Sequence, residues 1–300
     1  MLSIIVCTYN RDKYLYGALK CIAENGFPKE NYEIILVNNM STDNTETECK
    51  RFENDYPNVN FRYFIETNQG LSFARNRGIK ESRGEILVFL DDDSYIQEGY
   101  LNNLQKQLVA HPDADAFGGR IIPVFESGET PKWLCKWTFS WVSAIDKGDK
   151  TILFEGNTYP IGANMGFSKS CLNQCGSFNT ELGRSKKNLM AGEEKDLFNR
   201  LKSRKMSVYY FPDILVKHII PPHRTTKEYI IKMGYGVGLS ERLRCLKTGK
   251  ATLWLRYFSE LTKWCASILL WFWYTFRLRP TAGNMLVLFR WNVTKGLLER

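Results

Sequence analysis

The strongest constraint in this sequence is a recurrence: an apolar run of strand length, a polar cluster that ends it, then a stretch of helical character. Leu2–Thr8 is the first such run, and it ends in Tyr9-Asn10-Arg11 before a helix-like stretch from Lys13 to Asn25. Glu33–Val37 is the second, followed by Asn38-Asn39-Met40-Ser41-Thr42-Asp43, whose residue types cap a helix predicted over Asn44–Asp55. Val59–Ile65 is the third, and Asn68-Gln69-Gly70 turns it into a helix over Leu71–Glu81. Glu85–Leu90 is the fourth, and it stops at Asp91-Asp92-Asp93. Strands alternating with helices to about residue 120 predict an α/β fold built on a parallel, doubly wound sheet. Sheets of that kind bind ligands beyond the carboxyl ends of their strands, so the polar clusters mark the candidate site.

Composition removes other classes. At 300 residues with 44% hydrophobic and 24% charged, the chain can bury one large core or two moderate ones, and it is neither disordered nor fibrous. Its eight cysteines include no Cys-x-x-Cys, and its three histidines are too scattered to complete a zinc site, so reduced structural thiols are expected. Leu2–Cys7 runs straight into Asn10, Arg11, Asp12 and Lys13 with no basic segment ahead of it, which does not read as a signal peptide and points to a cytoplasmic chain. No Gly-x-Gly-x-x-Gly follows the first strand and there is no Gly-x4-Gly-Lys-Ser/Thr, which argues against dinucleotide and P-loop sites. Gly234-Tyr-Gly-Val-Gly238 has no strand before it and reads as helix packing or a helix end.

The net charge of +9 is unevenly placed: residues 1–216 carry 26 Lys/Arg against 28 Asp/Glu, and residues 217–300 carry 15 against 4. The same tail holds five of the eight tryptophans and the apolar run Trp264–Phe276, flanked by Lys263 and Arg277. As a helix that run reaches ~20 Å, short of the ~30 Å hydrocarbon core. Aromatic residues with basic flanks suit a helix lying on an anionic membrane surface, with a buried helix or a dimer interface as the plainer alternative. The basic residues are interleaved with bulky aliphatics and match no nucleic-acid reading module, so no nucleic acid partner is expected.

The aspartate triplet carries the most chemistry. Three adjacent carboxylates repel one another unless a cation sits among them. In an extended segment Asp91 and Asp93 point to one side and Asp92 to the other, and two hard oxygen donors suit Mg2+ or Mn2+. The plainer reading is an acidic turn capping a helix near Glu98–Leu108.

Together the strand ends form a pattern. Ser3-Ile-Ile-Val-Cys-Thr-Tyr-Asn-Arg11, Glu33 to Thr45, Asn68-Gln-Gly-Leu-Ser-Phe-Ala-Arg-Asn-Arg-Gly78 and Phe89-Leu-Asp-Asp-Asp93 resemble successive motifs of the family 2 glycosyltransferases with the GT-A fold. Gly162-Ala-Asn-Met165, Gly176-Ser-Phe-Asn-Thr-Glu-Leu-Gly183 and Gly192-Glu-Glu-Lys-Asp-Leu197 continue the order, and the resemblance covers about residues 2–240. It implies an inverting, hexosyltransferase-like enzyme that moves a sugar from a nucleoside diphosphate sugar to a hydroxyl of a glycan or lipid-linked glycan, on the inner face of the cell membrane. It further implies a donor site of Thr8, Tyr9, Asn10, Arg11, Asn38, Asn39, Arg75, Asp91 and Asp92. Asp93, with Asp91, becomes the candidate Mn2+ or Mg2+ site; His218 and Arg224 follow the apolar run Tyr209–Val216, where His218 would reach the metal and Arg224 the diphosphate of the donor.

Asn38 stands where the family usually has Asp; an amide still reads a pyrimidine edge, so UDP remains the expected carrier. Glu193-Glu194 stands in place of the family's Glu-Asp, which makes Glu194 the expected general base and Glu193 the reserve. Trp133, Trp137 and Trp141 recur every four residues and predict a helical stripe, which would stack on a sugar or lipid chain or fill a core. Trp133, Trp137 and Asn164 are the candidate acceptor contacts. The expected organisation is a donor half over 1–120, an acceptor and catalytic half over 121–222, and a basic, aromatic helical tail over 223–300. A nucleotide-sugar-binding scaffold that has lost turnover is the alternative, favoured by Asn38 and Glu194 and opposed by the intact Asp triplet.

Overall fold

A computed structural model of the chain describes residues 1–182 and 192–299. These fall into two units. One comprises Met1–Val124, Ser143–Glu181 and Glu193–Ile219; the other comprises Phe125–Val142, Leu182–Gly192 and Ile220–Arg300. Residues 125–142, placed by the sequence in the acceptor half, therefore cluster with the C-terminal helices. Gly183, which closes the motif from Gly176, lies outside the described residues.

The first unit begins β1 (Leu2–Thr8), α1 (Asp12–Ala23), β2 (Tyr32–Asn38), α2 (Thr45–Asp55), β3 (Phe61–Ile65), α3 (Leu71–Glu81) and β4 (Ile86–Asp91). It continues with β5 (Ser94–Ile96), α4 (Tyr100–Ala110), β6 (Ala116–Phe125), β7 (Ile152–Leu153), β8 (Met165–Ser168), α5 (Lys169–Cys175), α6 (Glu193–Ser203) and β9 (Val208–Ile220). β3, β2, β1 and β4 are parallel, in that order, and β8, β6, β9 and β5 extend the sheet beyond β4. β8 joins β4 antiparallel, with Val88 opposite Gly166.

The unbroken apolar runs are explained by burial on both faces. Ile4 and Val6 pack with Leu15 and Leu19 of α1 and Phe52 of α2, whereas Ile5 packs with Ala74 of α3, Phe167 of β8 and Leu197 of α6. β1 and α3 keep the bounds the sequence predicts. β3 starts later than Val59, because Val59 and Phe61 spend their N–H groups on a tight turn, on Tyr56 O and Val59 O. β4 runs on through Asp91, which puts the first carboxylate on the strand and the other two on the turn after it.

The second unit holds α7 (Lys227–Thr248), α8 (Lys250–Phe276) and α9 (Pro280–Leu298). The glycine pattern of α7 is helix packing: a Cβ on Gly238 would collide with Val293 O, and one on Gly296 with Tyr235 O. α8 buries two polar residues and leaves large apolar ones exposed. Its buried residues are Leu253, Glu260, Ser267 and Tyr274, at intervals of seven, whereas Trp254, Phe258, Leu269 and Phe276 are exposed. Glu260 accepts from Arg256 Nη1 at 2.6 Å and from Arg290 Nη1 at 3.0 Å, which neutralises it inside the bundle. No helix among the described residues is long and apolar enough to cross a membrane.

The predicted tryptophan stripe is corrected by the structure. Residues 131–142 form turns and the short 3-10 segment Phe139–Val142, because Thr138 Oγ1 captures Cys135 N–H at 2.8 Å and donates to Cys135 O at 2.9 Å. Trp133 and Trp141 are buried against each other with ring centroids 5.6 Å apart, while Trp137 is 51% exposed.

Candidate active site

The ends of β1 and β2 are braced to each other before any ligand is considered. Asn10, in the left-handed region at φ 53°, donates its N–H to Ser41 Oγ at 3.0 Å and accepts from Thr42 N at 2.7 Å. Asp12 Oδ2 accepts from Asn44 N, and Asp12 N–H donates to Asp43 Oδ2. The two amides expected to read the base are committed within the same loops. Asn38 accepts from Ser41 N and donates to Tyr63 OH, both at 2.8 Å. Asn39 donates to the carbonyls of Glu66 and Asn68 and accepts from Gly70 N at 2.7 Å. They shape a rigid rim in which Thr8 is buried and Tyr9 half-buried.

Asp91 and Asp93 converge as the alternation of an extended segment requires. Asp91, Asp93 and His218 each offer one ligand atom, all within 4.8 Å of one another. His218 comes from β9, where it pairs in register with Ser94, and its Nε2 lies 2.9 Å from Asp93 Oδ1. Arg11 Nη2 donates to Asp93 Oδ2 at 2.9 Å, and Arg11 Nε lies 4.0 Å from Asp92. Asp92 turns away into buried surroundings; burial, then the charge of Asp93, pushes its carboxyl up to about 8, with Arg11 pulling the other way. Two carboxylates and one imidazole fit Mn2+ or Mg2+, with room in the coordination sphere for a ligand's oxygens.

The second cluster is built on Arg75, fully buried on α3. Its Nη1 donates to Glu193 Oε1 and its Nη2 to Glu194 Oε1, both at 3.1 Å, while Nη2 lies 3.8 Å from Asp91 Oδ1. Its guanidinium carbon stands 5.2 Å from the centre of the Phe178 ring. Burial alone would favour the neutral form of Arg75, but Glu194, Glu193 and Asp91 outweigh it and hold the charge. Glu194 also accepts from Gly162 N at 3.0 Å. Burial pushes the Glu194 carboxyl up to about 7; Arg75 opposes the rise, and the charges of Glu193 and Asp91 add to it.

Exposure separates the groups a ligand reaches. The side chains of Asp91 and Glu194 are 34% and 20% exposed, against 2% and 5% for Asp93 and Glu193. Cys7 sits beside Asp91 in register, and burial pushes its thiol up to about 12, so it is no nucleophile near neutral pH.

Other expected contacts fall elsewhere. Asn164 is fully buried, accepts from Tyr100 OH at 2.6 Å and donates to the carbonyls of Arg120 and Ile214; it cannot meet an acceptor. Trp133 is buried and donates Nε1–H to Thr225 O at 3.1 Å, which likewise removes it from an acceptor surface. Trp137 is open to solvent, and Arg224 is buried near the Tyr229 ring; both belong to the second unit. Gly162 and Tyr63 are not among the site residues expected from sequence. Gly162 opens the Gly162-Ala-Asn-Met165 motif, and its lack of a side chain leaves room for the ends of Arg75 and Glu194, which a Cβ there would displace. Tyr63 carried no signal beyond its place in a strand.

With the geometry in hand, comparisons narrow the class. The family model described as Glycosyl transferase family 2 matches residues 3–176, more than half of the chain. A glucosyl-dolichyl phosphate glucuronosyltransferase of Haloferax volcanii is 23% identical over 245 residues, covering 80% of this chain and 76% of that protein. Several further curated relatives are matched over only 11% to 41% of their own length. A mannosyltransferase of Pyrobaculum calidifontis, solved with GDP-Man and Mn2+, superposes with a TM-score of 0.65 at 18% identity, over 99% of this chain and 87% of that one. Staphylococcus aureus TarS 1-349, solved with UDP-GlcNAc, gives 0.54 at 20% identity over 80% of this chain and 66% of that one. These structural likenesses show the fold.

Proposed function

The chain belongs to glycosyl transferase family 2 and has the GT-A fold, and on that premise we propose that it transfers a hexose-type sugar, with inversion, from a UDP-sugar to a hydroxyl of a glycan or lipid-linked glycan. The carrying observation is that one guanidinium, Arg75, joins the most exposed carboxylate of the Asp91–Asp93–His218 cluster to a carboxylate whose proton is poised near neutrality. A divalent cation held by Asp91, Asp93 and His218 would supply counter-charge for the departing diphosphate. Thr8, Tyr9, Asn10 and Arg11 border the nucleotide on the rim that Asn38 and Asn39 hold. Arg75 is a positioning residue: it is saturated by carboxylates and fixes Asp91 and Glu194 toward the sugar. Glu194 takes the proton of the acceptor hydroxyl as its oxygen attacks the anomeric carbon, and the bond from that carbon to the diphosphate oxygen breaks on the opposite face. A single base with no carboxylate nucleophile gives inversion.

In this reading residues 1–120 bind the donor and residues 121–222 supply the base and acceptor surface. Residues 223–300 hold the chain on the inner membrane face, a role supported by the exposed apolar residues of α8 and the 15 Lys/Arg against 4 Asp/Glu of residues 217–300. The test is a melting panel of nucleoside diphosphates and their sugars with Mn2+, Mg2+ or chelator, followed by UDP-release assays on the sugars that shift. Metal-dependent stabilisation by UDP together with sugar-dependent UDP release is the expected result. A folded protein unmoved by every nucleotide overturns the reading.

A further inference from the structure

The helical unit contains a cavity of about 570 Å³ that the transferase chemistry does not use. Trp137, Trp141, Leu270 and Phe289 give it apolar walls, and Lys263 and Arg290 stand among the same lining residues. Volumes of ~300–1,000 Å³ are those of small-molecule sites. The cations set its chemistry. Arg290 spends Nη1 on Glu260, but its Nε–H is buried with no hydrogen-bond partner. Lys263 has Arg256 and Arg290 as like-charged neighbours; burial first, and then these charges, push its ammonium below the usual lysine range, against the pull of Glu260 and Glu241. An anion beside these groups would relieve that repulsion.

We propose that this cavity binds a phosphate-headed lipid, its hydrocarbon chain between Trp137, Trp141, Leu270 and Phe289 and its phosphate at Lys263 and Arg290. The proposal rests on the transferase reading only in taking that lipid to be the carrier of the acceptor. Charge complementarity selects the occupant: an apolar cavity alone would take any hydrophobe, but a second copy of this unit would bring its own positive excess against this one.

The experiment is calorimetric titration of the full chain with decyl phosphate below its micelle-forming concentration, with decyl maltoside and inorganic phosphate as comparison ligands. Decyl phosphate should bind at least about tenfold more tightly than either comparison ligand, because the chain and the charge are read together. Ala266→Trp, at an exposed position in the lining, fills the cavity and should weaken decyl phosphate about tenfold or more with the melting temperature held. Lys263→Gln, which removes the cation from the lining, should lose most of the preference for the phosphate over the maltoside.

Equal binding of decyl phosphate and decyl maltoside would overturn the proposal, as would inorganic phosphate binding as tightly as the lipid. Undiminished binding to Ala266→Trp would place the lipid elsewhere and overturn it too. Nucleotide-induced stabilisation is read in the same preparations, so its loss strikes the transferase reading and the loss of lipid binding alone strikes this one.

Discussion

The two ends of the parallel sheet bury the same kind of ion pair to opposite effect. At the amino edge, fully buried Glu33 accepts from Ser3 Oγ at 2.6 Å, Arg83 N at 2.7 Å and Arg62 Nη1 at 3.0 Å. Burial alone would push its carboxyl up, but these donors hold it below the usual carboxylate range. At the carboxyl edge, Glu194 has an arginine and one backbone N–H, shares the arginine with two other carboxylates, and is pushed up to about 7. A carboxylate that saturates its acceptors is a fastener. One that shares a single cation among several anions keeps a proton within reach of neutral pH, and that is useful only where a proton has to move.

The largest effects should come from breaking the crowded edge. Asp93→Ala removes the carboxylate common to His218 and Arg11, and UDP release should fall by ~10³-fold or more, with metal-dependent stabilisation lost. Retained metal dependence would move the cation site off the triplet. Glu194→Gln keeps the size and the Gly162 contact but takes no proton, so turnover should fall by ~10²–10⁴-fold while UDP still raises the melting temperature. A fully active Glu194→Gln enzyme would transfer the base role to Glu193.

One part of the crowded edge was legible in the sequence, the part that is local. Asp91-Asp92-Asp93 declares itself at the end of an apolar strand, and alternation alone places Asp91 and Asp93 together. His218 lies more than a hundred residues away and was reached only by its place after the apolar run Tyr209–Val216; the register of β9 against β5 is what brings it to Asp93. Asn164 and Trp133 were misread for a shared reason. A polar or aromatic residue in a motif looks the same whether it faces a ligand or closes a buried hydrogen-bond network, and only tertiary packing decides. Asn38 and Asn39 stand at the end of β2, and their amides serve the loop. The Trp133–Trp141 spacing fits a helix, yet one threonine, Thr138, diverts the backbone into turns.

Two smaller changes sharpen the contrast between the edges. Gly162→Ala removes no charged group but drives a methyl against Arg75 and Glu194, which must shift. Turnover should fall ~10²-fold with the melting temperature little changed, because misplacing a base by a fraction of an ångström is enough. Glu33→Gln should do the reverse. It removes the charge that pairs with Arg62, costs ~2–3 kcal/mol in denaturant unfolding and leaves turnover per folded molecule unchanged. Loss of turnover without loss of stability in Glu33→Gln would mean that the edges are not separate in role.

The mildest test uses pH alone, and the two glutamates should answer with opposite signs. Glu33 has a lowered pKa, so its stabilisation is present above the unfolded carboxylate value and is lost as pH falls through the folded one. Glu194 has a raised pKa, from an ordinary 4.5 to about 7, so the native state binds its proton more tightly than the unfolded chain does. Between those values each rise in pH costs native stability at this residue, and Glu194→Gln should flatten that part of the stability curve. The same shift governs turnover. The base form accumulates only as pH rises through about 7, so kcat/KM should climb close to tenfold per unit below that value and level off above it. Residual activity of Glu194→Gln should lack this limb, because no proton leaves residue 194 in the variant. A limb that survives would belong to another group on the Arg75 cluster, with Glu193 the first to test.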